Sequence, residues 1–166
     1  MQVLNGGFQE AVKIGFPTSN EIETAAQTEP YPIKEWTLPS SDLVEVEKVA
    51  QNEDYIIIDV RDNERYKGNK EPIDLVAGHI PGAINVPFTT NLDEHELFLA
   101  PEQLKKNYQK IFKGKSAENI IVHCGSGVTA CHTLLAIAYA GLQIPKLYVG
   151  SWSEWSRNNK EIATED

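Results

Sequence analysis

The stretch Asn119-Ile120-Ile121-Val122-His123-Cys124-Gly125-Ser126-Gly127-Val128-Thr129-Ala130 decides how this chain is read. Its first residues form a short continuous apolar run, the pattern of a central parallel strand covered on both faces. Two glycines follow Cys124 within three residues. From Thr129 to Ala140 the sequence is apolar nearly all round, which predicts a buried helix. A strand that turns through glycines into a helix directs successive backbone N–H groups to one side, at the positive end of the helix dipole, and so builds an anion nest. A cysteine at the head of that turn has its thiolate stabilised, and the thiolate is the nucleophilic form. Ser126 and Thr129 add hydroxyl donors. From the residues alone, a buried structural cysteine at a strand end stays open as the competing reading.

Working outward, Tyr55-Ile56-Ile57-Ile58-Asp59-Val60 reads as a second buried strand, Lys146 to Val149 as a third and Ala83 to Val86 as a shorter one. Ser41 to Val49 opens with capping residues and spaces its apolar positions at three and four, as a helix does. Pro101 to Tyr108 places proline in a first helical turn. Strands alternating with helices predict an α/β fold, with a central mainly parallel sheet flanked by helices on both faces.

The net charge of −9 and the lack of any Lys/Arg cluster argue against nucleic acid as a partner. An anionic substrate would need local cations and backbone amides to offset the acidic surroundings. Cys124 and Cys131 are too far apart for a zinc knuckle and have no second pair, so neither metal nor cofactor is expected. Cys131 lies inside the apolar helix and reads as core. No apolar run is long enough to span a membrane and no signal-peptide pattern opens the chain, so no membrane partner is expected and the reading is cytoplasmic. Phosphatases of the Cys-x₅-Arg type need an arginine where this chain has Ala130, and the Cys-x-x-Cys of thioredoxin-like chemistry is absent.

The first 35 residues stand apart. Residues 18–35 are polar, contain Pro30 and Pro32, and read as a linker. Ahead of them, Val3 to Ala11 parallels Leu147 to Trp155: aligning Gly6 with Gly150 also matches Phe8 to Trp152 and Glu10 to Glu154. Both read as a short strand, a glycine turn and an aromatic-led helix, the mark of an internal repeat whose first copy is mostly absent. The expected organisation is therefore 1–17 as the end of an upstream domain, 18–35 as linker, 36–160 as the main domain and 161–166 as a tail.

Three motifs in order carry a family resemblance. Ile58-Asp59-Val60-Arg61, Arg65-Tyr66-Lys67-Gly68 and Gly78-His79-Ile80-Pro81-Gly82-Ala83-Ile84-Asn85-Val86-Pro87 resemble the opening signature of a rhodanese domain. Cys124 to Ala130 resembles its active loop, and Gly150-Ser151-Trp152-Ser153-Glu154-Trp155 its closing motif. The chain resembles the C-terminal, catalytic half of a tandem-domain thiosulfate or 3-mercaptopyruvate sulfurtransferase. That resemblance implies a rhodanese-like fold and a sulfur transfer through a persulfide on Cys124. It implies a small anionic sulfur donor, a thiol or cyanide acceptor, and donor binding by Arg65 with Gly125, Ser126, Gly127, Val128 and Thr129. Asp59 and Arg61 would fix the loop in a supporting role, His79 would be a structural hydrogen-bonding residue, and Trp152 and Trp155 would be core or interface residues. The small neutral Gly125 and Ser126 are similar to the mercaptopyruvate type, although residues 69–74 lack the second arginine of some such enzymes. The alternative is a truncated module that carries a persulfide or binds a partner with little turnover. Loss of a preceding domain would leave apolar surface that self-association could cover.

Overall fold

The computed structural model describes residues 3–22, 24–32 and 34–165. Its centre is a five-stranded sheet made of β1 (Ser40–Ser41), β2 (Ile56–Asp59), β3 (Ile84–Asn85), β4 (Ile120–His123) and β5 (Lys146–Tyr148), in the order β1-β5-β4-β2-β3. Every pairing is parallel. The register sets Asp59 beside both Asn85 and His123, so three polar residues line up where β2, β3 and β4 end.

The helices are α1 (Gly7–Lys13), α2 (Leu43–Val49), α3 (Asn63–Lys67), α4 (Pro101–Phe112), α5 (Val128–Tyr139) and α6 (Ser151–Trp155). Because strand side chains alternate faces, Ile56 and Ile58 of β2 and Ile120 and Val122 of β4 join a cluster with Leu104, Tyr108 and Phe112 of α4 and Ala130, Leu134 and Ile137 of α5. Ile57 and Ile121 face the other way, into a cluster with Val46 and Val49 of α2 and Trp152 and Trp155 of α6. The sheet is thus covered on both faces, which is why its strands read as unbroken apolar runs. The expected α/β architecture is observed, and Trp152 and Trp155 are core residues.

Three expectations change. The helix read from Ser41 starts at Leu43: Asp42 caps it by accepting from the Glu45 N–H at 2.8 Å, and Ser40–Ser41 pairs with β5 as an extra edge strand. Cys131 is exposed rather than core, and α5 is not buried all round. Its inner face carries Ala130, Thr133, Leu134, Ala136 and Ile137, while Val128, Cys131, Leu135 and Tyr139 form an outer stripe. Only one side of α5 meets the sheet, and the helical period sends the stripe outward although its residues are apolar. Finally, Val3 and Leu4 form no strand; the glycine turn and helix expected after them are present as Gly6 and α1.

Asn5 Oδ1 accepts from the Phe98 N–H at 2.9 Å, tying the start of the described chain to the main body. The described residues from Pro17 to Pro39 contain no helix or strand. At the other end, His79 and Ala163 exchange backbone hydrogen bonds at 2.8 and 3.0 Å, and the Glu165 N–H donates to the Lys67 carbonyl at 3.0 Å. This closing segment runs over α3 and holds it against the sheet. His79 completes the lock by stacking on Tyr66, with Nδ1 2.8 Å from the Tyr66 carbonyl oxygen. Among the described residues no helix is long and apolar enough to cross a membrane.

Candidate active site

Cys124 sits immediately after β4, only 2% exposed. The following loop is held by its backbone. The Cys124 N–H donates to Ser151 Oγ at 3.1 Å, and that hydroxyl donates to the Tyr148 carbonyl at 2.8 Å. The Trp152 N–H donates to the Cys124 carbonyl at 3.0 Å, and the Ser153 N–H to the Gly125 carbonyl at 2.9 Å. The first turn of α6 therefore draws the loop carbonyls to one side. Gly127 takes φ +82°, a conformation costly for other residues, and a Cβ there would lie 3.0 Å from the Val149 carbonyl oxygen.

With the carbonyls turned away, the amides of Gly125, Ser126, Gly127, Val128 and Thr129 make no hydrogen bond to any described residue. They lead into α5, which lacks a side-chain cap. Unpaired amides at the positive end of a three-turn helix form a place for negative charge. A cavity of about 190 Å³ opens above them, lined by Cys124, Gly125, Ser126, Val128, Thr129, Arg65, Ile73, Asp74 and Ser153. A larger depression of about 550 Å³ lies beside Tyr55 and Gly82, near the start of β2, and holds none of these residues.

The structure brings all the residues expected at the site into one neighbourhood. Arg65, on α3, crosses the loop, with Nη2 and Nη1 3.6 and 3.7 Å from where a Gly125 Cβ would stand. It is not a free cation. Its Nε donates to Glu71 at 3.0 Å, and Nη2 reaches Glu71 at 2.8 Å and Asp74 at 3.2 Å. Asp59 and Arg61 pair beneath the loop: Arg61 Nη2 is 2.6 Å from Asp59 Oδ2 and 2.6 Å from the Gly78 carbonyl, both side chains almost wholly buried. The Arg61 guanidinium also lies 4.6 Å over the Trp152 ring and reaches Glu71 at 3.4 Å. Opposite charges thus alternate from the core to the cavity rim, as Asp59, Arg61, Glu71, Arg65, Asp74 and Arg157.

His123, one residue before Cys124, is fully buried, with Nε2 3.8 Å from Asp59 Oδ2. Burial pushes its pKa below the usual histidine range; Asp59 opposes that shift and Arg61 adds to it. The ring is therefore neutral near pH 7.

Sequence reading passed over Glu71, Asp74, Ser151, Ser153 and Arg157. Ser153 Oγ donates to Asp74 Oδ1 at 2.6 Å, and Arg157 Nη1 reaches the same oxygen at 3.0 Å. The available signal was a pair of acids, Glu71 and Asp74, shortly after Arg65. The partners of Asp74 across the fold, Ser153 and Arg157, are distant in sequence, so no local spacing marks that cluster.

The sequence profile described as "Rhodanese-like domain" matches residues 42–158. The chain belongs to the rhodanese-like family. The matched range includes the loop after Cys124 and the α6 turn that fastens it. Among similar proteins, a probable 3-mercaptopyruvate sulfurtransferase of Pseudomonas aeruginosa is 47% identical over 111 residues, covering 66% of this chain and 39% of that protein. The thiosulfate sulfurtransferase of Rattus norvegicus is 37% identical over 163 residues, covering 95% of this chain and 53% of that protein. The structure of 3-mercaptopyruvate sulfurtransferase from Leishmania major superposes with TM-score 0.72 at 29% identity, over 92% of this chain and 42% of that one. The chain spans about half the length of the curated relatives it matches, and less of some.

Proposed function

We propose that this rhodanese-like chain carries out sulfur transfer through a persulfide on Cys124. The observation that carries the reading is the set of unpartnered amides from Gly125 to Thr129, between Cys124 and the first turn of α5. Preorganised donors of this kind stabilise the thiolate before reaction and the negative persulfide sulfur after it.

In the first half-reaction the Cys124 thiolate attacks the outer sulfur of the donor. With thiosulfate, the S–S bond breaks and sulfite leaves with the electron pair. With 3-mercaptopyruvate, the C–S bond breaks and the thiol proton ends on the released carbon, giving pyruvate. Either route leaves a Cys124 persulfide anion. An acceptor such as cyanide or a thiolate then attacks the terminal sulfur and regenerates the Cys124 thiolate. Arg65 supports binding of the donor's anionic end, and Ser126 and Thr129 add hydroxyls at the cavity wall. No cofactor or metal takes part in this scheme.

The test is intact mass after incubation with each donor, with Cys124→Ser as control. Gain of one sulfur atom by the unaltered chain and none by the variant is expected; no gain from either donor sinks the reading. Arg65→Ala is expected to raise donor KM by about tenfold or more, and an unchanged KM removes Arg65 from the site. A second reading, a persulfide carrier with little turnover, is favoured by one observation: Glu71 and Asp74 already hold Arg65. It predicts stoichiometric loading without multiple turnovers.

A further inference from the structure

The carboxylate of Asp74 is 1% exposed, yet it belongs to the wall of the Cys124 cavity. One oxygen receives Ser153 Oγ at 2.6 Å and Arg157 Nη1 at 3.0 Å; the other lies 3.2 Å from Arg65 Nη2. Arginine recognises an oxyanion best with two parallel N–H donors. Here Nε and Nη2 face Glu71 and Asp74, and none of the described hydrogen bonds uses Nη1. An arriving anion therefore meets one uncommitted edge of Arg65, with the negative charge of Asp74 beside it. The Ser153 proton is directed at Asp74, so the serine oxygen presents only lone pairs to the cavity.

We propose that Asp74 is the residue that sets donor selectivity, by holding the Nη2 edge of Arg65 and disfavouring a doubly charged donor relative to a singly charged one. This rests on the reading that the Cys124 cavity receives a sulfur donor, and it names the class: a compact monoanion such as an α-keto carboxylate bearing a thiol. A dianion brings a second charge toward the carboxylate and has no proton to offer Ser153. A monoanionic thiol needs only the free edge of Arg65 and can donate its S–H to the serine oxygen. The clusters balance as they stand, Arg65 and Arg157 against Glu71 and Asp74, so neutralising Asp74 leaves a net positive rim.

The test uses Asp74→Asn, which keeps size and removes the charge, leaving one acceptor oxygen for Ser153 and Arg157 and an amide nitrogen in place of the oxygen that faces Arg65. Alkylation of Cys124 is followed by peptide mass mapping, to separate it from exposed Cys131, with anionic iodoacetate and neutral iodoacetamide. The variant is expected to raise the iodoacetate-to-iodoacetamide rate ratio by about tenfold, a charge effect that a purely structural role would not produce. A ratio unchanged within about twofold overturns the proposal. In turnover, the thiosulfate KM should fall about tenfold relative to the mercaptopyruvate KM; an equal fall for both overturns it. If neither donor loads sulfur, the proposed function fails, while the alkylation ratio still decides the role of Asp74. Should the variant not fold, the unaltered chain decides. Pyruvate is expected to protect Cys124 from iodoacetamide at about tenfold lower concentration than sulfate; equal or better protection by sulfate refutes the assignment.

Discussion

Replacing Arg61 with methionine probes the buried pair beneath the loop. The substitution keeps much of the side-chain volume against Trp152 but removes the donors to both Asp59 oxygens and to the Gly78 carbonyl. Asp59 would keep its hydrogen bond from the residue 61 N–H, at 2.9 Å in the native chain, and would otherwise be a buried charge without its cation. Breaking such a pair from one side costs about 3–5 kcal/mol, a large part of the roughly 5–15 kcal/mol that holds a typical domain folded. The assay is urea unfolding, read as a lower midpoint at unchanged slope. The pH dependence sharpens it. His123 Nε2 lies 3.8 Å from Asp59, and Arg61 is one cause of the ring's lowered pKa. Without Arg61 that pKa rises, so His123 can take up a proton and pair with Asp59. The deficit of Arg61→Met relative to the native chain should therefore shrink from pH 7.5 to pH 5.5, by about 1 kcal/mol. A loss below about 1 kcal/mol at pH 7.5, or a deficit that grows on acidification, refutes the reasoning.

In the native chain the sign is reversed. His123 and His132 both have pKa values lowered by burial, so below about pH 6.5 the unfolded chain binds protons that the folded chain resists, and urea midpoints should fall on acidification through that window. Gly127→Ala forces a side chain onto a φ of +82° with its Cβ 3.0 Å from the Val149 carbonyl oxygen; a stability loss of about 1–3 kcal/mol and slower sulfur loading are expected. Ser151→Ala removes the acceptor of the Cys124 N–H and should cost about 1–3 kcal/mol by thermal or urea unfolding. Cys131→Ser, on the outer face of α5, should change stability by no more than about 0.5 kcal/mol and leave sulfur uptake at Cys124 intact by mass.

Much of the fold was legible because the physics was local. β2 and β4 announce themselves as branched apolar runs, since a parallel strand covered on both faces has no polar side to show. The loop after Cys124 was legible for a similar reason: two glycines between a strand and a helix restrict what the backbone can do. β1 was not, because Ser40 and Ser41 carry no apolar periodicity and pair only through the edge of β5. The exposed side of α5 was misread because Val128, Leu135 and Tyr139 are as apolar as residues that face a core, and only packing reveals which side meets the sheet. Asp74 and Ser153 escaped notice because their hydrogen bond joins a loop to α6, far apart in the chain.

The backbone fastening of the loop after Cys124 has an engineering consequence. The hydrogen bonds that hold it join Ser151, which accepts from the Cys124 N–H, and the donating Trp152 and Ser153 N–H groups to main-chain atoms of Cys124 and Gly125, so none of them uses the side chains at 125 and 126. Gly125 lies outside the left-handed region, and a Cβ there would meet nothing nearer than Arg65 Nη2 at 3.6 Å. Position 125 thus has room for a small side chain that would face Arg65 and Asp74 directly, a place to alter the cavity wall while the backbone frame around Cys124 stays as it is.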